Sequence, residues 1–227
     1  MAEIYGVHMS RPPRSGEVEY MLSNVSEERR AKAQKYVKPD DAHRSLIAEY
    51  LIRAVIRSKL HLSNAEISFV SGPYGKPRVG GIPSFHFNIA HSGAWIVCAV
   101  DSAPVGIDVE EIKPMSFDVA QFFSEQEIRW LMSHQETART SCFYDLWTLK
   151  ESYIKWVGTG LSLPLNSFSI MLDGDAPVSV QPAELHGPCF LRQMDIAPGY
   201  KMAVCSTKDA AAEQIIIRSV DELLAGP

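Results

Sequence analysis

Apolar side chains recur at helical spacing in several stretches of the chain, and polar residues mark where these helices begin. Between positions 46 and 56 the apolar residues fall on one helical stripe, and Asp40 or Asp41 is a candidate cap for that helix. Ser26, followed by two acidic residues, opens an earlier helix over 26–38. Further helices are predicted over 117–122, 124–133 and 142–157, the last ended by the glycines at 158 and 160.

Shorter apolar runs between turn residues predict strands. A turn at 91–93 joins two of them into a hairpin, and a loop rich in Gly and Pro covers 72–77. The predicted strands cover residues 4–9, 67–70, 85–90, 95–100, 105–109, 168–172, 189–194 and 201–206.

The two halves of the chain have similar patterns. The stretch 93–100 resembles 199–205, because each places small and apolar residues after a turn glycine and an aromatic residue. We therefore expect an α+β fold built as a pseudo-dimer of two similar halves, each an antiparallel sheet packed with helices. The halves would meet near Ala103 and Pro104, giving domains over 1–103 and 104–227, with a ligand cleft between them.

Charge and composition narrow the classes of function. The 227 residues include 22 Lys and Arg against 27 Asp and Glu, a formal charge of −5, which argues against general nucleic-acid binding. The longest apolar runs are too short to span a membrane, and residues 1–6 do not resemble a secretory signal. Four widely separated cysteines predict reduced thiols, with no disulfide framework or zinc site, in a cytoplasmic protein.

Two carboxylates lie on one predicted strand. Asp108 and Glu110 are two positions apart and therefore project from the same face, while Ile107 and Val109 face the core. Two neighbouring carboxylates repel unless a cation lies between them, and oxygen ligands suit Mg²⁺. The alternative interpretation is a strand with one solvated face.

A helical face near the C-terminal half carries a second charged group. Trp147, Glu151 and Lys155 recur every four residues and share one face of the predicted helix. Alone, the Glu–Lys pair is typical of an exposed helix surface, worth about 0.3–0.5 kcal/mol. Beside the acidic strand, Glu151 becomes a candidate third metal ligand or general base, and Lys155 a candidate partner for a leaving phosphate.

Basic and turn residues in the first half suit an anionic ligand. His91 and Ser92 stand at a strand-to-turn corner beside Gly93 and are able to donate hydrogen bonds to an anion, although a turn with a hydrogen-bonded histidine explains them equally well. The segment 29–38 is rich in Lys and Arg, as a solvated helix face would be. Together with the acidic cluster, these cations suit a polyphosphate bridged by Mg²⁺. The sequence contains no P-loop, no Gly-x-Gly-x-x-Gly and no Gly-x-Ser-x-Gly.

Four motifs in order resemble those of the 4′-phosphopantetheinyl transferases: YGKP at 74–77, FNIAHS at 87–92, GIDVE at 106–110 and WTLKES at 147–152. The chain length, IYG at 4–6 and GLSLPL at 160–165 further resemble the bacillar subgroup that activates surfactin and gramicidin synthetases. The resemblance covers nearly the whole chain. It implies a monomeric enzyme with coenzyme A in the cleft between two α+β halves.

The resemblance also implies roles for individual residues. The implied Mg²⁺ ligands are Asp108, Glu110 and Glu151, and the implied catalytic residues are Glu151, Lys155, Asp108 and His91. The implied coenzyme A contacts are Arg29, Lys32, Arg44, Ser45, Lys76, Pro77, His91, Ser92 and Lys155. Ala90 departs from the family, which often has Ser before the His, so one hydroxyl contact is missing. Arg29 and Ser45 match the family only in residue type, and Glu127 is a weaker candidate for the site.

The implied reaction joins coenzyme A to an apo carrier protein. A serine of a peptidyl carrier protein or acyl carrier protein would attack the phosphorus nearer the pantetheine, and 3′,5′-ADP would leave. Such a carrier would dock near 159–188, a stretch otherwise explained as a loop with a buried strand. Two alternatives remain at this point: a Mg²⁺-dependent phosphohydrolase acting on nucleotides, and a non-catalytic coenzyme A-binding protein.

Overall fold

The computed structural model of the protein describes residues 2–115, 122–172, 178–182, 186–208 and 211–225. The first half begins with a strand, continues through three helices and ends in a hairpin. Its elements are β1 (Ala2–His8), α1 (Ser15–Asn24), α2 (Glu27–Ala33), α3 (Pro39–Leu60), β2 (Phe69–Ser71), β3 (Pro77–Val79), β4 (His86–Ser92) and β5 (Trp95–Asp101).

The second half repeats this order with two helices in its described part. Its elements are β6 (Val105–Glu111), α4 (Glu125–Ser133), α5 (Glu136–Val157), β7 (Ser169–Met171), β8 (Ser179–Gln181), β9 (Phe190–Met194) and β10 (Tyr200–Ser206). The chain then adds β11 (Ala211–Ser219) and α6 (Val220–Ala225).

The sheet topology confirms the predicted pair of similar α+β halves. In the first half the strands β1, β5 and β4 pair antiparallel in that order, and in the second half β6, β10 and β9 do the same. Each half also carries a small two-stranded sheet, β2–β3 or β7–β8. Both long helices, α3 and α5, have 22 residues.

The C-terminal strand returns to the first half. β11 pairs parallel with β1, so the first sheet has four strands, in the order β11-β1-β5-β4. Val220 and Leu223 of α6 pack into the core beside α3. A division of the chain at residues 103 and 104 remains our proposal, with these last two elements packed on the first half.

Three apolar layers hold the fold together. A central core lies between the two sheets, where Ile4 and Val97 of the first half pack with Ile107 and Val204 of the second. A second core lies between the first sheet and α1, α3 and α6, and a third lies between the second sheet and α4 and α5. Because Ile107 and Val109 fill the central core, the intervening Asp108 projects toward α5, as the alternation predicted.

Residues near the first turn account for where α2, α3 and α5 begin. Ser26 caps α2 by accepting a hydrogen bond from the Arg29 backbone N–H at 3.1 Å. The prediction that Asp40 or Asp41 caps α3 is wrong, because Pro39 starts the helix and both aspartates lie in its first turn. α5 begins at Glu136, six residues earlier than predicted, since its first turns are polar and lack an apolar stripe.

Several smaller predictions differ from the structure. His91 and Ser92 belong to β4, and the hairpin turn is made by the two residues that follow them. The first helix, the small-sheet strands β3 and β8, and the elements β11 and α6 were not predicted. Residues 117–121 of the predicted 117–122 helix lie outside the described residues.

The four cysteines are free thiols, as the sequence predicted. Cys98 and Cys205 are buried, while Cys142 and Cys189 are partly exposed. Among the helices that the structure describes, none is both long and apolar enough to cross a membrane.

Candidate active site

The candidate active site is built where β6 lies against α5. Gly106, Asp108 and Glu110 share the face of β6 that is turned to this helix. Gly106 permits the close approach, because a Cβ atom there would lie 2.0 Å from the Ser152 carbonyl oxygen and 2.5 Å from the Trp156 backbone nitrogen. The strand and helix backbones are therefore close enough for the carboxylates of β6 to meet the side chains of α5.

Asp108 is the most constrained carboxylate of the site. It is 4% exposed, and its Oδ1 accepts a hydrogen bond from Lys155 Nζ at 2.6 Å. Its Oδ2 is buried and has no hydrogen-bond partner. Burial raises the pKa of Asp108 to about 7, helped by Glu110 and Glu151 and opposed by Lys155.

A cavity of about 380 Å³ collects the predicted catalytic groups. Glu151 and Lys155 line it from α5, together with Trp147, as the four-residue spacing predicted. The first half supplies its other wall, so the cavity lies between the halves. The lining residues are Ile89, Ala90, His91, Asp108, Glu110, Trp147, Glu151, Lys155 and Leu161.

The acid–base character of this cavity comes mainly from burial. Burial raises the pKa of Glu151, and Glu110 adds to the effect while Lys155 opposes it. His91 stands at the exposed rim, yet the surrounding protein and the Arg44 guanidinium lower the pKa of its imidazole. A carboxylate with a raised pKa is a stronger base than an ordinary one, which suits proton abstraction.

The carboxylates of the site are suitable ligands for a divalent cation, but their side chains are not grouped as closely as in a formed metal centre. Among the described residues, no three His, Cys, Asp or Glu side chains are grouped closely enough to form a ready metal centre. However, the orphaned Oδ2 of Asp108 lacks any donor, and a buried acceptor without a partner is unfavourable. A hard cation would satisfy that oxygen, and Mg²⁺ needs few protein carboxylates because it keeps waters and takes phosphate oxygens.

A second cavity, of about 210 Å³, lies entirely within the first half. Arg29, Lys32 and Pro77 line it, as do the apolar side chains of Phe87 and Ile89. Ile89 also lines the catalytic cavity, so the two cavities adjoin. The result is a partly apolar recess beside the catalytic cavity, which we name the basic recess for Arg29 and Lys32, although Glu28 and Glu49 also line it.

Arg29 is held in this recess by buried partners. Its Nε donates to Glu49 Oε2 at 3.1 Å, and its Nη1 donates to the Ser45 hydroxyl at 2.7 Å. Ser45 is fully buried, so its role in the described structure is to orient Arg29. Lys32, in contrast, is exposed and forms no ion pair with the described residues.

Three further predicted contact residues use their side chains within the protein. Arg44 Nη1 donates to the Gly93 carbonyl at 2.9 Å, and the Ser92 hydroxyl donates to Glu110 Oε2 at 2.7 Å. Lys76 Nζ donates to the Val105 carbonyl at 2.9 Å and also to the Lys155 carbonyl. Burial lowers the pKa of Lys76 to about 8. Lys76 thus crosses from the first half to the second.

Glu127 lies away from both cavities. Its carboxylate accepts a hydrogen bond from Lys150 Nζ at 2.6 Å, and both side chains are fully buried. Glu127 also accepts from the Ile170 backbone N–H at 2.7 Å. The pair therefore joins α4, α5 and β7 and supports the helix that carries Glu151.

Sequence reasoning missed three residues that shape the site. Ile89 connects the two cavities, Leu161 stands 73% exposed at the rim of the catalytic cavity, and Asn88 accepts a hydrogen bond from the Ile107 backbone N–H at 2.8 Å. The spacing of Asn88 and Ser92 could have predicted that both lie on one face of a strand, because they are four residues apart. Their hydrogen-bond partners belong to the other half of the chain, so no local sequence pattern indicates them.

Family models match almost all of the chain. The model described as "4'-phosphopantetheinyl transferase, N-terminal" matches residues 11–103, and the model described as "4'-phosphopantetheinyl transferase superfamily" matches residues 104–205. The protein belongs to the 4′-phosphopantetheinyl transferase family.

Individual relatives agree over nearly the full length. The chain is 44% identical to the 4′-phosphopantetheinyl transferase Sfp of Bacillus subtilis (strain 168), over 98% of this chain and 100% of the relative. It is 46% identical, with the same coverage, to a further 4′-phosphopantetheinyl transferase of Bacillus subtilis. It is 40% identical to the 4′-phosphopantetheinyl transferase gsp of Aneurinibacillus migulanus, over 82% of this chain and 78% of the relative.

Proposed function

We propose that this protein transfers the 4′-phosphopantetheine arm of coenzyme A to a serine of an apo carrier protein and releases 3′,5′-ADP. The acceptors are peptidyl carrier domains of nonribosomal peptide synthetases, and acyl carrier proteins as well. The observation that carries the proposal is the cavity shared by Asp108, Glu151 and Lys155, which adjoins a basic recess. Family membership selects this reaction over nucleotide hydrolysis and over passive coenzyme A binding.

Coenzyme A fits the adjoining cavities in a defined direction. The recess with Arg29 and Lys32 would take the phosphorylated adenosine end, because the exposed Lys32 offers a cation to a phosphate and Phe87 and Ile89 offer apolar contact to the base. Its pyrophosphate would then pass Ile89 into the catalytic cavity, near His91 and Lys155. Arg44, Ser45 and Ser92 support this arrangement from within the protein, and Lys76 fixes the boundary between the halves.

The residues that would hold Mg²⁺ are Asp108, Glu110 and Glu151. Bound there, Mg²⁺ would offset the negative charge of the pyrophosphate in the transition state. Lys155 now supplies the positive charge beside Asp108, at 2.6 Å from its Oδ1. Release of this lysine from Asp108 would free its ammonium group for the departing phosphate.

Proton transfer falls to Glu151. A carrier serine hydroxyl is a weak nucleophile at neutral pH and needs a base. Glu151 would take its proton as the serine oxygen bonds to the phosphorus nearer the pantetheine. The bond from that phosphorus to the bridging oxygen breaks, and 3′,5′-ADP departs with its charge stabilised by Lys155. Positioning and electrostatic stabilisation account for most of the acceleration.

The carrier protein would approach from the open side of the catalytic cavity. Leu161 is a large apolar side chain at that rim and lies near the start of the 159–188 stretch expected to meet the carrier. One chain contributes both the basic recess and the carboxylates, which supports a monomer. We place the reaction in the cytoplasm, where coenzyme A and reduced thiols are maintained.

Intact-mass measurement of an apo peptidyl carrier protein tests this proposal. The carrier is incubated with the protein, coenzyme A and Mg²⁺, with EDTA and a carrier lacking the acceptor serine as controls. A mass gain of one phosphopantetheine, lost in both controls, is expected. Cleavage of coenzyme A without a gain would favour the phosphohydrolase, and binding without cleavage would favour the non-catalytic protein.

A further inference from the structure

The strand that carries the carboxylates is an edge strand of its sheet. β6 pairs with β10 on one side only, and β4 of the other half lies along its second side. Two side chains of β4 take the place of a strand partner there. Asn88 Oδ1 accepts the Ile107 N–H at 2.8 Å, and Ser92 Oγ accepts the Glu111 N–H at 3.1 Å. Both pairs are four residues apart on their strands, so Asn88 and Ser92 set the register of β6 against β4.

The Ser92 hydroxyl donates its one hydrogen bond to Glu110. Because its oxygen accepts from the Glu111 backbone, its proton is free for the Glu110 carboxylate, whose Oε2 lies 2.7 Å away. This hydrogen bond commits one oxygen of Glu110, a residue that lines the catalytic cavity, and leaves its other oxygen available to a ligand. A carboxylate fixed in this way presents one oxygen to a cation without losing side-chain freedom at the moment of binding.

Contacts from both halves fix the position of Ser92 itself. Arg44 of α3 donates to the carbonyl of Gly93, and the backbone N–H of Ala94 donates to the Tyr200 hydroxyl at 3.0 Å. Gly93 allows this fit, because a Cβ atom there would lie 2.3 Å from the Tyr200 hydroxyl. Ser92 does not line the catalytic cavity, so it reaches the chemistry only through Glu110.

We propose that Ser92 is a positioning residue that orients Glu110 for the divalent cation, so that the first half of the chain sets the metal affinity of the second. This inference rests on the metal site of the proposed function. In this proposal Ser92 acts by orienting Glu110 of β6, and it does not contact coenzyme A directly.

Ser92→Ala is expected to weaken cation binding by about 10- to 100-fold, the range typical for loss of a residue that orients a metal ligand. Ser92→Thr keeps the hydroxyl in a strand that tolerates a β-branched residue, and is expected to restore affinity to within about threefold. In the transfer reaction, Ser92→Ala should raise the Mg²⁺ concentration needed for half-maximal rate. Ser92→Thr should return that Mg²⁺ concentration to within about threefold of the wild-type value.

The test is a Mn²⁺ titration followed by electron paramagnetic resonance, with coenzyme A present and carrier omitted. Wild type, Ser92→Ala, Ser92→Thr and a control, Ser206→Ala, are compared, and thermal unfolding confirms that each is folded. Ser206 is a buried strand serine whose hydroxyl donates to the Lys208 carbonyl, away from the site. The proposal is supported if Mn²⁺ affinity falls in Ser92→Ala and stays near the wild-type value in Ser92→Thr and Ser206→Ala.

Equal Mn²⁺ affinity in wild type and a folded Ser92→Ala would overturn the positioning role and leave the proposed metal site intact. Equal loss in Ser92→Ala and Ser92→Thr would overturn it as well, because the hydroxyl would then not be the cause. Absence of Mn²⁺ binding by the wild type would instead overturn the metal site, and the role of Ser92 with it.

Discussion

The two halves share one plan but differ at the positions that carry chemistry. β5 and β10 each have seven residues, and their registers place Tyr5 and Val7 of β1 where β6 has Asp108 and Glu110. The 22-residue helices differ in the same way. Counted from the first residue, Ala54 and Ser58 of α3 stand where α5 has Glu151 and Lys155. The carboxylates and the lysine of this cluster therefore have no charged counterparts at the equivalent positions of the first half, where Glu3 of β1 and Lys59 of α3 form an ion pair at other positions.

This difference shows how a duplicated fold divides its tasks. In the first half Val7 is fully buried in the apolar core that includes α3, while Glu3 of β1 accepts a hydrogen bond from Lys59 of α3 at a more exposed position. In the second half the same contact carries carboxylates: Asp108 accepts a hydrogen bond from Lys155, and Glu110 accepts one from Ser92. The first half contributes the basic recess and the β4 side chains that reach across to β6. Under the proposed function, coenzyme A binding and the chemical step therefore fall mainly to different halves of the chain.

The largest effect is expected from Asp108→Ala. It should lower the transfer rate by at least about 10³-fold without unfolding the protein, because it removes the buried carboxylate at the centre of the site. Tyr5→Phe, at the equivalent strand position, is the matched control and should transfer at the wild-type rate. Rates are measured by the mass gain of the carrier. A wild-type rate for Asp108→Ala would contradict the role assigned to the second half.

Gly106→Ala tests the close approach of strand and helix. The new Cβ would overlap backbone atoms of α5, so we expect destabilisation of about 3 kcal/mol or more in denaturant unfolding. Gly16→Ala is the control, because a Cβ at Gly16 of α1 meets nothing within 4 Å and alanine favours a helix. Equal stability of Gly106→Ala and wild type would show that α5 does not depend on this glycine.

Lys155→Ala should slow transfer by about 10²-fold while the Mg²⁺ requirement remains, because the proposed role of the lysine is to stabilise the leaving phosphate and the variant keeps all of the carboxylates. Ser58→Ala, at the equivalent helix position, serves as the control. An unchanged single-turnover rate would remove Lys155 from the mechanism.

The smallest expected effect is on how the thermal stability of the metal-free protein, measured in EDTA, depends on pH. The pKa of Asp108 is raised to about 7 in the folded chain. Between about pH 4 and about pH 7 this group is charged in the unfolded chain but still protonated in the folded one. The free energy of unfolding of the wild type therefore falls as the pH rises through this window. Asp108→Asn lacks that penalty. Its Tm should therefore exceed the wild-type Tm by several degrees more at pH 8 than at pH 5. Added Mg²⁺ at pH 8 should raise the Tm of wild type only. A pH-independent difference would contradict the raised pKa of the buried Asp108.

The sequence was sufficient for features that are local or periodic. Alternation placed Asp108 and Glu110 on one face of β6, and four-residue spacing placed Glu151 and Lys155 on one face of α5. The parallel return of β11 to β1 was not predictable, because that pairing joins residues more than two hundred positions apart. The Ser92–Glu110 contact escaped prediction for a related reason: the hydroxyl was assigned to a ligand because its protein partner belongs to the other half.

The division of tasks between the halves is tested most directly by titrating coenzyme A, in EDTA, into wild type, Lys32→Ala and Asp108→Asn by calorimetry. The account predicts that Lys32→Ala weakens binding by about tenfold, through loss of one charge-assisted contact. Asp108→Asn should bind within about twofold of wild type and yet give no carrier transfer when Mg²⁺ is restored. Loss of coenzyme A binding in Asp108→Asn, with unaltered binding in Lys32→Ala, would contradict it.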